Sequence, residues 1–130
     1  MPWVEIFAIF VVSHLVGDYL LQTDWQATNK RGGLGSDPVA RRALARHITS
    51  YTLAFVPAFV WLAGEIDLLL VAVIALISVP HWIQDDGRLL TIYIRKAKGG
   101  DAAANPSVAA AADQSFHFLT LLLVAFLAGG

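Results

Sequence analysis

Four long apolar runs divide the chain, and polar segments separate them. The runs cover about residues 3–22, 47–63, 68–84 and 109–127. Each is close to the roughly 20 residues that a helix needs to cross a bilayer. Only residues 64–67, Gly-Glu-Ile-Asp, join the second and third runs, which predicts a helical hairpin with a tight turn. The pattern predicts an all-α polytopic membrane protein, a compact bundle of four transmembrane helices.

The composition agrees with this prediction and leaves room for one domain, residues 1–130. Hydrophobic residues make up 57% of the chain and charged residues 15%, against about 25% charged residues in an average soluble domain.

Residues 88–98 are apolar with basic residues at both ends. They predict either a continuation of the third helix or, preferably, a short helix at the membrane surface. A flexible connection is expected over residues 98–108, which contain Gly, Asn and Pro.

All nine basic residues lie in the two segments that follow the first and third runs. The 64–67 turn carries only acidic charges, and neither end of the chain carries a Lys or Arg. By the positive-inside rule, both basic segments are expected on the cytoplasmic side of the membrane, with both termini outside. The net charge of -1 offers no basic excess for a nucleic-acid partner. Membrane lipid is the expected partner instead.

Ionisable and amide side chains recur inside the apolar runs at intervals of four residues, the spacing of one helical turn. They are His14, Asp18 and Gln22 in the first run, His47 at the start of the second, His81 and Asp85 in the third, and Asp113 and His117 in the fourth. In the predicted orientation, all of them lie in the cytoplasmic half of the bundle. Ionisable groups within a bilayer are costly and usually mark a functional site. Their convergence predicts one shared site.

Imidazoles and carboxylates without any cysteine form a ligand set for a divalent metal, with zinc as the first choice and manganese or iron as further candidates. The predicted ligands are His14, Asp18, His47, His81, Asp85, Asp113 and His117. They suffice for one or two ions. Asp18, Asp85 and Asp113 are also the candidate catalytic carboxylates, one of which would act as a general base. A structural ion pair explains any single His–Asp pair, but it explains seven ionisable groups on four helices poorly.

Further polar residues near this predicted site are candidates for binding a substrate. They are Gln22, Lys30, Arg41, Arg42, Arg46 and Tyr51. The basic ones would hold a phosphate head group, and Gln22 and Tyr51 would orient either this group or the metal ligands. Lys and Arg at the inner face of a membrane protein commonly determine topology and contact lipid phosphate, and this simpler explanation is favoured for the three arginines.

Part of the pattern resembles a known family. Residues 14–25 read HLVGDYLLQTDW and are followed by Asn29-Lys30. This block resembles the opening of an uncharacterised family of bacterial integral membrane proteins, domain of unknown function 3307. The later His81-x-x-x-Asp85 and Asp113-Gln114-x-x-His117 resemble that family's other blocks, so the resemblance covers nearly the whole chain. It implies the fold, the site and a location in a bacterial inner membrane, but no reaction. A more distant similarity is to membrane-bound metal-dependent hydrolases.

Several functions suit such a site. A bound divalent ion lowers the pKa of its water towards about 7 and polarises the attacked group, which favours a hydrolase acting on a lipid-like ester or phosphoester at the cytoplasmic leaflet. A carrier for a divalent cation, or a proton relay, would use the same residues. However, residues 119–127 in the outer half of the fourth run offer almost no polar groups. A haem protein with two histidine ligands and a structural membrane subunit stapled by a metal are also compatible with the pattern.

Overall fold

The computed structural model describes all 130 residues, Met1–Gly130, as helices and connecting turns. The helices are α1 Trp3–Leu15, which continues into a π-helical turn at Val16–Leu20, then α2 Asp24–Asn29, α3 Pro38–Ala54, α4 Val56–Ile66, α5 Leu69–Asp86, α6 Arg88–Lys98, α7 Gly100–Ala103 and α8 Pro106–Gly129. The fold is therefore all-α, as predicted.

Three helices are long and apolar enough to cross a membrane, and a bent pair makes a fourth candidate. The three are Trp3–Leu20, α5 and α8, and the pair is α3 with α4, bent by 56°. Large apolar side chains such as Leu20, Val60 and Leu68 are exposed, whereas nine of the 27 buried residues are polar or charged. Many exposed apolar side chains together with several buried polar ones are the distribution expected of a helical protein surrounded by lipid.

The interior is divided into an apolar half and a polar half. A cluster of 12 buried residues, among them Phe10, Phe55 and Leu121, fills the apolar half. Around it, α8 packs against α1 and α5, and α3 packs against α5. The polar half contains all four histidines, which are buried. Close packing in the apolar half holds the helices at fixed separations, and the polar half then positions the candidate ligands.

The second predicted span differs from the expectation of one helix over residues 47–63. Helix α3 begins earlier, at Pro38, because the Asp37 side chain caps it by accepting a hydrogen bond from the Val39 N–H at 2.9 Å. The helix breaks at Phe55, because Pro57 in the next turn has no N–H to continue the hydrogen-bond ladder. Helix α4 then runs through residues 64–66, so the turn to α5 lies later than predicted, at residues 67–68.

The residues after α5 form a separate helix, which decides between the two predictions for residues 88–98. Helix α5 ends at Asp86, because Gly87 has φ 79°, in the left-handed region that glycine adopts freely. Helix α6 is therefore a new short helix and not a continuation. The expected flexible connection at residues 98–108 instead contains the single turn α7 and the start of α8, capped by the Asn105 side chain.

The basic segment before α3 folds back onto the end of α5. The Asp86 carboxylate accepts a hydrogen bond from the Leu34 N–H at 2.9 Å and another from Arg88 Nε at 2.8 Å. These contacts raise the pKa of the exposed Arg88 guanidinium above its ordinary value. The Asp86 carbonyl accepts a further hydrogen bond from the Gly32 N–H at 2.9 Å. This anchoring brings Lys30 to the polar half of the interior.

Gly17 lets the π-helical turn approach α3 closely. A Cβ atom at this position would lie 2.7 Å from Tyr51 Cδ2 and 3.2 Å from Tyr51 Cα. We expect Gly17→Ala to destabilise the bundle by about 1–3 kcal/mol, the usual cost of overpacking. The measurement is the thermal unfolding midpoint of the purified protein, which should fall.

Gly64→Ala is the matched control for this prediction. Gly64 lies in α4 with open space at the Cβ position, and alanine favours a helix more than glycine does. Its unfolding midpoint should stay the same or rise. An equal fall in both variants would contradict the close approach at Gly17.

Candidate metal centre

The buried polar residues of the four long helical segments meet at one place. Two groups have ligand atoms that all lie within 4.8 Å of one another: Asp18, His47, His81 and Asp85 form the first, and Asp85, Asp113 and His117 form the second. Asp85 belongs to both groups. The structure thus brings six of the seven predicted ligands together, with His14 beside them.

The first group has nearly the dimensions of a tetrahedral ligand set. His47 Nε2 lies 2.7 Å from Asp85 Oδ2, 3.1 Å from Asp18 Oδ1 and 3.1 Å from His81 Nε2. His81 Nε2 lies 3.2 Å from each of the same two carboxylate oxygens. Ligands about 2.0–2.1 Å from a tetrahedral zinc ion are about 3.3 Å from one another. Five of the six separations among these four atoms are therefore slightly shorter than those around one zinc ion.

Hydrogen bonds among these four residues do not satisfy their polar atoms. Asp18 Oδ1 is buried without a hydrogen-bond partner, although two imidazole nitrogens lie within 3.2 Å of it. A cation shared by the carboxylate oxygens and the Nε2 lone pairs would satisfy all four atoms. The Nδ1 atoms of His47 and His81 also lack a protein partner. In this respect the group differs from most metal sites, where the second ring nitrogen donates to an acceptor.

The π-helical turn positions Asp18. Its wider hydrogen bond, from the Leu21 N–H to the Val16 carbonyl at 2.9 Å, changes the register of the helix after α1. Such turns are rare and occur frequently at functional sites. Asp18 Oδ1 contacts His47 and His81, while its Oδ2 lies 3.6 Å from His14 Nε2.

His14 lies beside the candidate ligands and outside both groups, which differs from the expectation that it is a ligand itself. Its Nδ1 accepts a hydrogen bond from the Tyr51 hydroxyl at 2.9 Å, and its Nε2 donates to Gln114 Oε1 at 2.8 Å. Both ring nitrogens are therefore used. The Gln114 amide in turn donates to Asp18 Oδ2 at 3.5 Å. This chain of hydrogen bonds orients Asp18 so that Oδ1 is directed at the ligand group.

Tyr51 contacts the histidines, which agrees with the second of its two expected roles, the orientation of the ligands. It is buried, and its ring stacks on the His81 ring with the centroids 3.5 Å apart. Together with its hydrogen bond to His14, this contact makes Tyr51 a support for two histidines and not a residue that faces a substrate.

The second group is built on His117. Its Nδ1 donates to the Asp113 carbonyl at 2.7 Å, and its Nε2 faces Asp85 Oδ1 at 3.0 Å. The Asp113 side chain is 26% exposed, more than any carboxylate of the first group. The second group therefore lies at the edge of the buried centre.

Lys30 and Gln22, two of the predicted substrate-binding residues, lie at this edge. Lys30 Nζ donates to Asp85 Oδ2 at 2.7 Å and to Gln22 Oε1 at 2.6 Å. Both residues line a polar cleft of about 250 Å³, together with Asp18, Tyr19, Ala110, Asp113 and Gln114. The cleft connects the ligand groups with the surface of the molecule.

The three arginines lie away from the centre. Arg41, Arg42 and Arg46 are exposed on α3, whereas His47 on the same helix is buried. The Arg46 guanidinium carbon lies 5.5 Å from the Trp25 ring centroid, and Arg42 and Arg46 line a separate open groove. The expectation that they bind substrate is therefore not supported by their position.

Sequence reasoning missed the role of Gln114. The residue lies between Asp113 and His117 on α8, and its side chain joins His14 to Asp18. The only sign of this role in the sequence is that Gln114 lies in the Asp113-Gln114-x-x-His117 block, directly beside a predicted ligand.

Comparison with known protein families identifies the family of this chain. A family model described as Protein of unknown function (DUF3307) matches residues 6–129. The chain belongs to the DUF3307 family. The resemblance seen in residues 14–25 is thereby confirmed, and both ligand groups lie inside the DUF3307 region. No curated protein and no solved structure matches the chain.

We expect Tyr51→Phe to weaken metal binding without abolishing it. The substitution removes the hydroxyl that bonds His14 and keeps the ring that stacks on His81. Residues that orient metal ligands typically contribute about 10- to 100-fold in metal affinity. A competition titration with a zinc chelator should therefore show at least about a tenfold weaker affinity.

Tyr93→Phe, on the exposed side of α6, is the control and should bind zinc as the wild type does. Unchanged affinity in Tyr51→Phe would show that the hydrogen-bond chain through His14 does not orient Asp18.

Proposed function

We propose that this protein is a membrane-embedded, metal-dependent hydrolase, with zinc as its metal and a lipid-like phosphoester or ester as its substrate. One observation carries the proposal. Five contacts among the Asp18, His47, His81 and Asp85 ligand atoms have lengths of 2.7–3.2 Å, although one of these atoms has no hydrogen-bond partner.

The charges of the polar interior support a bound cation. Three carboxylates, those of Asp18, Asp85 and Asp113, lie in the two ligand groups, and Lys30 supplies the one ammonium in contact with them. An uncompensated buried carboxylate costs several kcal/mol. One divalent ion together with Lys30 would balance the three negative charges.

Two cavities that meet at Asp113 support an amphiphilic substrate. The polar cleft contains Lys30, and a second cavity of about 230 Å³ has mainly apolar walls, formed by residues such as Ile83, Leu90 and Phe116 of α5, α6 and α8. Asp113 lines both cavities. A substrate with its anionic head at Lys30 and its apolar chain in the second cavity would have its head–chain junction at Asp113.

The reaction would take place at this junction. A water oxygen bonds to the phosphorus or carbonyl carbon, the bond to the leaving alcohol breaks, and a water proton passes through an Asp113 oxygen to the leaving oxygen. The metal polarises the attacked group and lowers the pKa of the water. Asp18 and Asp85 act as ligands, and the Lys30 ammonium holds the anionic head.

The apolar half of the interior supports an enzyme over a carrier. A carrier needs polar groups along a path across the bundle, but side chains such as Phe10, Phe55 and Ile77 fill the space beyond the centre. The contact of 3.1 Å between His47 Nε2 and His81 Nε2 also leaves no flat space for a haem between these two rings.

The cytoplasmic leaflet is the proposed location of the site. The two basic segments lie at the same end of the bundle, since Arg31 of the first donates hydrogen bonds to the Gly87 carbonyl and the Thr91 hydroxyl at the second, at 3.1 and 2.7 Å. The positive-inside rule then orients this end, with Lys30 and its cleft, towards the cytoplasm.

We expect the detergent-purified protein to contain near-stoichiometric zinc, manganese or iron, and His47→Ala and Asp85→Asn to lose most of it. Each substitution removes a ligand atom from the first group. Elemental analysis by mass spectrometry measures the metal content.

Asp86→Asn is the matched control for Asp85→Asn. Asp86 is the next residue and is buried to a similar degree, 3% against 5% exposed, but its carboxylate bonds Arg88 and the Leu34 N–H instead of the ligands. It should keep the metal. A wild-type protein that stays folded and metal-free after divalent ions are supplied would contradict the proposal.

Hydrolysis should depend on the metal. With a long-chain phosphoester and a carboxylic ester of the same chain as probes in mixed micelles, we expect activity that a chelator abolishes and zinc restores. Lys30→Met should raise KM for the phosphoester about tenfold or more, since a hydrogen bond to a charged group contributes about 1.5–3 kcal/mol. Lys96→Met, on the exposed part of α6, should not. Metal-bound protein inactive on both probes would argue against a hydrolase.

A further inference from the structure

We infer that the polar interior holds two metal ions bridged by Asp85, and that the second ion, at Asp85, Asp113 and His117, is the one that binds an anionic phosphoester. This inference rests on the proposed function, because the two positions share Asp85.

The Asp85 carboxylate faces two sets of ligands. Its Oδ2 lies 2.7 Å from His47 Nε2 and 3.2 Å from His81 Nε2, and its Oδ1 lies 3.0 Å from His117 Nε2. Each oxygen therefore meets imidazole nitrogens from a different side. A carboxylate in this position can bridge two ions, which in two-metal hydrolytic sites are about 3.5–4 Å apart.

His117 is oriented as a ligand. Because its Nδ1–H donates to the Asp113 carbonyl at 2.7 Å, the neutral ring has its lone pair on Nε2. That lone pair faces Asp85 Oδ1, which is also an acceptor, at 3.0 Å. Two acceptors in contact need a cation between them or a second proton on the ring. A metal ion at Nε2 serves both and takes one oxygen of the Asp113 carboxylate as its third ligand, since the three residues have ligand atoms within 4.8 Å of one another and Asp113 Oδ1 lies 3.7 Å from the His117 ring at Nδ1. The ring N–H is held by a carbonyl, as in most metal sites.

The two positions differ in how many protein ligands they have. The first has four, which complete a tetrahedral shell, and the second has three. Closed four-ligand shells are typical of structural zinc, whereas catalytic zinc keeps one position open for water or substrate. Asp113, a ligand of the second position only, lines both the polar cleft and the apolar cavity. The open position is therefore on the side from which a substrate arrives.

The net charge of the buried site indicates which class of substrate would bind. The carboxylates of Asp18, Asp85 and Asp113 balance one divalent ion together with the Lys30 ammonium, which contacts Asp85 Oδ2 at 2.7 Å. A second divalent ion leaves two positive charges in a buried site. An anionic phosphoester compensates this charge and a neutral carboxylic ester does not.

The test counts zinc ions per chain. Purified protein is saturated with Zn²⁺ and desalted, zinc is measured by mass spectrometry, and the chain by the absorbance of its four Trp and three Tyr. We expect about two ions in the wild type and about one in His117→Ala and in Asp113→Asn. Asp101→Asn, exposed on α7, is the control and keeps two. X-ray absorption should detect a Zn–Zn distance of about 3.5–4 Å in the wild type and in the control alone.

The outcomes separate this inference from the proposed function. A wild type with one zinc ion overturns the two-ion centre bridged by Asp85 and leaves the metal-dependent hydrolysis of the proposed function to a single ion. A wild type with no zinc overturns both. If His117→Ala does not fold, Asp113→Asn, which changes little volume, decides: two retained ions overturn the inference. Faster hydrolysis of the carboxylic ester than of the matched phosphoester would overturn the assignment of an anionic substrate.

Discussion

The buried Asp85 carboxylate is contacted from three other parts of the chain, and the polar interior is arranged around it. His47 reaches it from α3, His117 from α8 and Lys30 from the segment before α3, all at 2.7–3.0 Å. A buried carboxylate is tolerated only with such partners, so α3 and α8, which pack on α5, must each also supply a polar group at the right height. The fold and the centre therefore depend on the same contacts.

Two consecutive aspartates perform different tasks because successive residues on a helix point about 100° apart. Asp85 faces the interior, while Asp86 faces the basic segment and holds it through the backbone of Gly32 and Leu34. The second task serves the first, since the held segment carries the Lys30 ammonium to Asp85. The apolar cluster in the other half of the bundle then keeps the helices at the distances that these contacts require.

The sequence predicted the helices and the meeting of the polar residues, because hydropathy and four-residue spacing report directly on spans and faces. It placed the start of α3 too late, because the first helical turns after Pro38 are polar and a search for apolar runs does not include them. It named His14 as a ligand, because spacing cannot show that Tyr51 and Gln114 occupy both ring nitrogens. The π-helical turn has no signature in the sequence. The sequence also could not show that the three arginines point away from the centre, because this depends on which face of α3 packs against α5.

The π-helical turn at Val16–Leu20 has a consequence for how this first span can vary. A π turn is in effect one residue added to an α-helix, so the residues of this turn are rotated about the helix axis relative to the phase of Trp3–Leu15. Ile6 and Phe10 belong to the apolar cluster, whereas Asp18 faces His47 and His81. A single-residue deletion within the turn would join the two phases and rotate the carboxylate out of the centre.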